Sequence, residues 1–313
     1  MLEKKYKVLV TPRSISREGH AELERLKDAG YDVLMPWPGE QPNEEQLLQT
    51  LPLCVGYLAG VEQISAEVLR SAPDLKVISR NGVGLDNIDL KTAKELGITV
   101  TSTPGANSQG VAELALSLIL DGLRSVSWSS TRMDGGKWER KKGRELAGLT
   151  LGVIGCGNIG KRLAKMAIGL GMNVVGYDVY HDQDLEQIQH FRYVTLSSIF
   201  SLSDILSLHC PPEKTPLINE ENISLCRDGV ILVNTARDGL IDHVAVLNAL
   251  NTGKVSCYAT DVYQTEPPEL DDLLRHDRVI KTPHIGGFTK ESIERATTMA
   301  VDNILEVLCD KQE

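Results

Sequence analysis

Thr150-Leu151-Gly152-Val153-Ile154-Gly155-Cys156-Gly157-Asn158-Ile159-Gly160 is the stretch from which the fold of this 313-residue chain is read. Leu151 to Ile154 is a short apolar run suited to a buried strand, and Ile159 to Gly169 has a helical apolar period. Between them Gly155, Gly157 and Gly160 spell G-x-G-x-x-G. Alone, that pattern recurs by chance in flexible loops. Between a strand and a helix it predicts a dinucleotide-binding turn. Gly155 makes the tight turn, Gly157 lets the backbone approach a pyrophosphate, and Gly160 lets the helix lie close to the strand. The unpaired N–H groups at the helix start, on Asn158 and Ile159, face the phosphates.

A second predicted strand, Asn173 to Tyr177, ends in Asp178, eighteen residues after Gly160. A carboxylate there accepts hydrogen bonds from ribose hydroxyls and repels a 2′-phosphate. The expected cofactor is therefore NAD rather than NADP.

Working outward, strands alternate with helical patterns. Strands are expected at 7–11, 31–35, 54–59, 75–79 and 98–101, with helices at 18–29, 65–70 and 89–96. After the glycine turn, strands follow at 205–208, 230–234, 256–260 and 279–281, and a last helix at 290–308. This rhythm means right-handed crossovers and parallel sheets covered on both faces. One long helical pattern, 107–133, and a Gly-rich, charged loop, 134–148, separate two such series. The fold class is α/β, with two doubly wound parallel-sheet domains.

Composition narrows the partners. The formal charge is −10 and the pI about 5.3, so the whole-protein field attracts neither nucleic acid nor an anionic membrane. A small anionic substrate would need a local basic pocket. The six cysteines form no C-x-x-C pair and have neither zinc nor disulfide spacing, so reduced thiols and no metal are expected. No apolar stretch is long enough to span a bilayer, and no signal-peptide core follows the basic start. The expected location is the cytoplasm.

Three segments near the ends of later strands carry candidate chemistry: Arg237 after Val233-Asn234-Thr235-Ala236, Glu266 in Asp261-Val262-Tyr263-Gln264-Thr265-Glu266-Pro267, and His284 in Thr282-Pro283-His284-Ile285-Gly286-Gly287. Ligands in open α/β sheets bind at the carboxyl ends of strands, so all three groups converge there. Reducing a 2-oxo acid needs a proton donor to the carbonyl oxygen, and oxidising the alcohol needs the reverse. His284 suits both near neutral pH. Glu266 would stabilise the imidazolium and fix its tautomer. Arg237 offers a planar fork to a carboxylate.

At these residues the chain resembles the D-isomer-specific 2-hydroxyacid dehydrogenase family, over nearly its whole length. Asn81-Gly82-Val83-Gly84-Leu85-Asp86-Asn87-Ile88-Asp89 resembles the family's substrate loop, Asn107-Ser108 with Val111-Ala112-Glu113 its hinge-helix opening, and His209-Cys210-Pro211-Pro212 with Thr215 its nucleotide-side motif. The resemblance implies catalytic roles for Arg237, Glu266 and His284. It implies cofactor contacts at His209, Cys210, Pro211, Thr215, Thr235, Ala236, Asp261 and Gly287, and substrate contacts at Arg80, Asn81, Val83 and Gly84. It implies a Rossmann nucleotide-binding domain, 103–284, and a discontinuous flavodoxin-like substrate domain, 1–102 and 285–313. A homodimer through the helix 107–133 and a small 2-hydroxy or 2-oxo acid as substrate are likewise implied.

Within the family, Lys137-Trp138-Glu139-Arg140-Lys141 and His284-Ile285-Gly286-Gly287-Phe288-Thr289 look most like phosphoglycerate dehydrogenases, in a short form without a regulatory domain. Two departures stand against this. Asp238 stands where the family usually has Gly after its arginine. No Arg occurs around Tyr57-Leu58-Ala59-Gly60, which leaves a substrate phosphate to Arg80. Hydroxypyruvate or glyoxylate reduction is the enzymatic alternative. An NAD(H)-sensing corepressor that binds partner peptides is the alternative of another class, with long disordered flanks absent.

Overall fold

A computed structural model describes residues 6–309. The chain divides into two units: one runs to Asn107 and resumes at Thr289, and the other is Ser108–Phe288. Among the described residues no helix is long and apolar enough to cross a membrane.

The first unit is a five-stranded parallel sheet of β1 (Lys7–Val10), β2 (Asp32–Leu34), β3 (Cys54–Ala59), β4 (Val77–Arg80) and β5 (Thr99–Thr101), in the order β2-β1-β3-β4-β5. That is the flavodoxin-like order. The interior strand β3 is buried at all six positions, as an apolar run covered on both faces must be. One face packs Leu9, Tyr57 and Ile78 beneath Leu47, Val68 and Leu69. The other packs Val8, Val10 and Leu58 beneath Ala300, Val301 and Ile304 of the closing helix Lys290–Cys309. The helix expected over 18–29 is shortened to Leu23–Asp28, and a separate helix, Arg13–Glu18, precedes it and ends where Gly19 turns the chain at φ 75°.

In the second unit β6 (Thr150–Ile154), β7 (Asn173–Tyr177), β8 (Phe191–Tyr193), β9 (Ile205–Leu208), β10 (Val230–Asn234), β11 (Val255–Thr260) and β12 (Val279–Lys281) form a parallel sheet. Their order is β12-β11-β10-β9-β6-β7-β8. The direction of winding reverses between β6 and β9, and a crevice at such a switch point is where doubly wound sheets bind ligands. Residues of β10 alternate between two cores. Val230 and Leu232 join Phe200, Leu206, Val246 and Tyr258 on one face. Ile231 and Val233 join Ala115, Leu118, Ile119, Leu163 and Ala164 on the other.

The long helix expected over 107–133 is not continuous. It breaks at Ser125, in the left-handed region at φ 51°, into Ser108–Arg124 and Val126–Asp134. The local reason is the run Ser125-Val126-Ser127-Trp128-Ser129, whose serines compete for backbone hydrogen bonds. Asp121 takes the amide of Ser127 at 2.9 Å and so starts a new helix.

Candidate active site

The glycine turn lies at the switch point, after β6. Gly155 has φ 91°, and a Cβ there would stand 2.6 Å from the carbonyl of His209. A Cβ at Gly160 would stand 2.0 Å from the Gly155 oxygen. These two glycines answer to contacts within the protein. Gly157 does not: a Cβ there meets no atom within 4 Å, so its bareness leaves room outward, where a pyrophosphate would approach. The helix Asn158–Gly169 that follows has no side-chain cap, so its first amides stay available to an anion.

Asp178 does more than wait for a ribose. Its Oδ2 accepts the amide of Cys156 at 2.6 Å and its Oδ1 that of Tyr180 at 3.0 Å. Each carboxylate oxygen has a second lone pair for a sugar hydroxyl. His209 crosses behind Gly155. Its Nε2 pairs with Ser207 Oγ at 2.8 Å, its shielded Nδ1 has no partner, and burial lowers its pKa to about 4. The imidazole is thus neutral. Burial pushes the Cys210 thiol up to about 11. Pro211 and Thr215 are exposed on the loop beyond. Thr235, buried after β10, has an unpaired Oγ1 beside Ala236. The uncapped helix, the open side of Gly157 and these two unpaired buried atoms fit a dinucleotide.

The reactive groups come from the other end of the sheet. Arg237 follows β10, Glu266 lies in the loop after β11, and His284 follows β12. These three strands are neighbours, spaced about 4.8 Å apart. His284 Nδ1 lies 2.7 and 2.8 Å from the two oxygens of Glu266. With Nδ1 engaged, Nε2 is the nitrogen left for proton exchange. His284 has φ 53°, a conformation a non-glycine residue adopts at a cost of about 1–3 kcal/mol.

Asp261 explains how that turn is held. It is only 2% exposed and accepts from Ile285 N at 2.8 Å, Gly286 N at 2.8 Å and Thr282 Oγ1 at 2.6 Å. The residue expected to contact cofactor thus also clamps the turn that carries His284. Gly287 follows, half-buried.

Sequence reasoning passed over two further groups. Asn234, fully buried, donates to Arg237 O at 2.8 Å and accepts from Ala236 N at 3.1 Å, which shapes the arginine turn. Tyr263 donates to Thr282 O at 2.7 Å, tying the Glu266 loop to the end of β12, and burial raises its phenol to about 12. Asn234 closes β10 and Tyr263 lies three residues past β11, and neither position carries a local pattern that marks its role.

Arg80, Asn81, Val83 and Gly84 sit in the first unit, at the carboxyl end of β4. Arg80 Nη1 donates to Asn81 O at 2.7 Å, Asn81 Nδ2 reaches Thr297 Oγ1 at 3.3 Å, and Val83 is exposed. The turn after β3 is closed by Glu62, itself 1% exposed. Its Oε1 accepts from Gly60 N at 2.9 Å, from Tyr57 Oη at 2.5 Å and from Thr11. A buried carboxylate thus stands in the turn where a phosphate-binding arginine was sought.

A separate cavity of about 850 Å³, lined by Trp128, Arg132, Lys141, Arg278 and Lys281 among others, lies near Ile231 and Cys257 at the starts of β10 and β11. Its lining includes none of Arg237, Glu266 and His284. Among the described residues no cluster of side chains could hold a metal ion.

The fold and the glycine turn together define a dinucleotide-binding α/β protein. Residues 116–286 match the family model "D-isomer specific 2-hydroxyacid dehydrogenase, NAD binding domain". The chain is 40% identical over 278 residues to a hydroxypyruvate reductase of Thermotoga maritima, covering 86% of this chain and 90% of that one. It is 41% identical over 251 residues to a D-3-phosphoglycerate dehydrogenase of Methanocaldococcus jannaschii, covering 79% of this chain and 48% of the relative, about half its length. A D-lactate dehydrogenase from Aquifex aeolicus, solved with NAD and lactic acid, superposes with a TM-score of 0.81 at 31% identity, over 98% of this chain and 96% of that one. The chain belongs to the D-isomer specific 2-hydroxyacid dehydrogenase family, whose cofactor is NAD.

Proposed function

We propose that this protein moves a hydride between NAD and the alpha carbon of a small D-2-hydroxy or 2-oxo acid, with His284 as the acid/base. The observation that carries this is the two-oxygen contact of Glu266 with His284 Nδ1, which leaves Nε2 for the substrate oxygen. Bound NAD supplies the nicotinamide carbon that gives or takes the hydride. In reduction, His284 donates a proton from Nε2 to the forming alkoxide, and Glu266 orients the ring by holding Nδ1. Arg237 takes the substrate carboxylate in its planar fork. Asp261 keeps the strained His284 turn in place, so little reorganisation is needed during the reaction. The Ser108–Phe288 unit is the nucleotide-binding domain in this reading. In the other unit, taken by itself, the loop after β4 with Arg80, Asn81, Val83 and Gly84 is the proposed substrate-binding segment.

The substrate proposed is one with a short uncharged tail, of the hydroxypyruvate or glyoxylate kind. Two observations support it. No arginine stands in the turn after β3, Tyr57-Leu58-Ala59-Gly60, where the phosphoglycerate dehydrogenases that the chain resembles carry one. The relative aligned over 90% of its length is named a hydroxypyruvate reductase. Phosphoglycerate stays as the second reading because Arg80, at the end of β4, offers a cation. A panel of hydroxypyruvate, glyoxylate, pyruvate and 3-phosphohydroxypyruvate with NADH tests both. The highest kcat/KM is expected for hydroxypyruvate or glyoxylate. A clear preference for the phosphorylated acid reverses the substrate reading, and no turnover of any of them sinks the enzymatic one.

A homodimer is proposed through the segment around the broken helix. Val126 is 61%, Met133 60% and Trp138 82% exposed, large apolar side chains within thirteen residues of one another in the chain and of the kind a partner surface covers. Light scattering should give twice the chain mass, and Trp138→Glu should shift it toward the monomer.

A further inference from the structure

Asp238 and His243 form the least expected side-chain pair in the second unit. His243 opens the helix His243–Thr252, just after its N-cap Asp242. A cationic ring is unfavourable there, because the helix N-terminus carries partial positive charge. The ring is compensated from both sides. Nε2 lies 2.9 Å from Asp238 Oδ1 and Nδ1 lies 3.0 Å from Asp271 Oδ2. Both ring nitrogens can donate only in the protonated form, and hydrogen bonds between charged partners are the strong kind.

The two carboxylates belong to different parts of the reactive edge. Asp238 is the neighbour of Arg237 and begins the short turn Asp238–Leu240. Asp271 ends the loop that carries Glu266, where its Oδ1 caps the helix Asp272–Arg275 by accepting Leu274 N at 2.8 Å. Pro267 and Pro268 stiffen the chain between Glu266 and Asp271. Fixing Asp271 therefore constrains Glu266. Arg237 is held at its carbonyl by Asn234, at 2.8 Å, and next door by the Asp238 carboxylate.

We infer that His243 is a positioning residue: through Asp238 and Asp271 it ties the turn that carries Arg237 to the loop that carries Glu266. The inference rests on the roles proposed above for Arg237 and Glu266. It also accounts for Asp238, which stands where the family usually has glycine. The carboxylate is drawn to His243, so it does not oppose a substrate carboxylate at Arg237. The two acids raise the His243 pKa to about 9, Asp238 first, against the lowering by burial. Other ionisable groups on the elements packed against this helix are Tyr258 and Cys257 on β11, the latter in the core on the opposite face of the sheet, Asp272 and Arg275, and Glu220 and Glu221 on the helix Glu220–Leu225. Of these, Tyr258 is fully buried and Arg275 Nε is bonded to Leu270 O at 2.8 Å. The bridge is therefore closed at neutral pH and opens as His243 loses its proton.

The test compares wild type, Asp238→Gly, His243→Leu and the double variant, as the full chain. Steady-state kinetics with hydroxypyruvate at saturating NADH give kcat and KM, and NADH fluorescence gives the cofactor Kd. Each single variant should raise KM about tenfold with NADH Kd within about twofold, and the double should be no worse than the worse single, because both cut one bridge. Wild-type KM should climb above about pH 9, where the His243→Leu value stays flat. Asp238→Gly restores the residue usual in the family and so keeps the test open if His243→Leu fails to fold. Unmoved KM in the single variants, an additive effect of about a hundredfold in the double, or an equal loss of NADH affinity overturns the inference. A wild type that turns over no 2-oxo acid fails at the earlier step and takes the inference with it.

Discussion

The two ends of the Ser108–Phe288 sheet are built by different means. At β6 and β7 the cofactor end is shaped by the backbone: Gly155 and Gly160 fit spaces in which a Cβ would clash, and Gly157 leaves space outward. At β10, β11 and β12 the reactive end is shaped by buried or paired carboxylates. Asp261 holds the His284 turn, Glu266 holds its ring, and Asp238 and Asp271 hold His243. Backbone recognition suits a cofactor whose diphosphate is always the same. Side-chain clamps suit a proton-transfer group that must be charged, oriented and released. The difference means that the two ends should fail separately when mutated.

The largest separation is expected from His284→Ala. It should cut kcat by about two to four orders of magnitude, because general acid–base assistance is lost. NADH Kd, read by fluorescence titration, should stay within about twofold of wild type. Near-normal kcat with a chemical step shown to limit turnover would break the comparison at its centre.

Asp178→Ala acts at the opposite end and should invert the pattern. Loss of the carboxylate removes repulsion of a 2′-phosphate, so the NADH preference over NADPH should shrink by about ten- to a hundredfold in kcat/KM. The Cys156 amide also loses its acceptor, so NADH Kd should rise several-fold. Equal use of the two cofactors by wild type would show that Asp178 does not select between them.

The smallest effect is one of stability. The His243 pKa is raised from 6.5 to about 9 in the folded chain. The group therefore stabilises fully below about pH 6.5, and the stabilisation fades as pH rises through 9. Discounted for partial exposure, it amounts to about 1–2 kcal/mol. His243→Leu should lower Tm by a few degrees at pH 6, and the gap should close near pH 9.5. A gap that is constant with pH would mean the bridge carries no linked proton.

How much of this was legible in the sequence follows the same division. Strand–turn–helix around Gly155 was readable because glycine spacing and apolar period are local signals, and the structure puts each strand within a residue or two of its expected place. His284 and Glu266 could be nominated because each lies just beyond a strand. The short strand β8 escaped because Phe191-Arg192-Tyr193, with a charged residue at its centre, offers no apolar run. Helices such as Leu196–Leu202 and Glu220–Leu225 escaped because fewer than two turns give no helical period to read. Ser125 broke a helix whose apolar period runs on through it. The clamps of Asp261 on the His284 turn and of His243 on Asp271 were not readable, since each joins segments more than twenty residues apart, and Asn234, which bonds only to its near neighbours Ala236 and Arg237, carries no pattern that sets it apart.

The measurement that tests the central claim most directly is the rate of hydride transfer in Glu266→Ala and Glu266→Gln beside wild type, with deuterated NADH used to isolate the chemical step. Glu266 holds His284 Nδ1 through both carboxylate oxygens and so leaves Nε2 for the substrate. Glu266→Ala should slow that step by about one to two orders of magnitude, Glu266→Gln, which keeps an acceptor for Nδ1, should slow it less, and NADH affinity should be kept in both. A chemical step as fast as wild type in both variants would contradict the pairing of Glu266 with His284 as the proton-transfer unit of this enzyme.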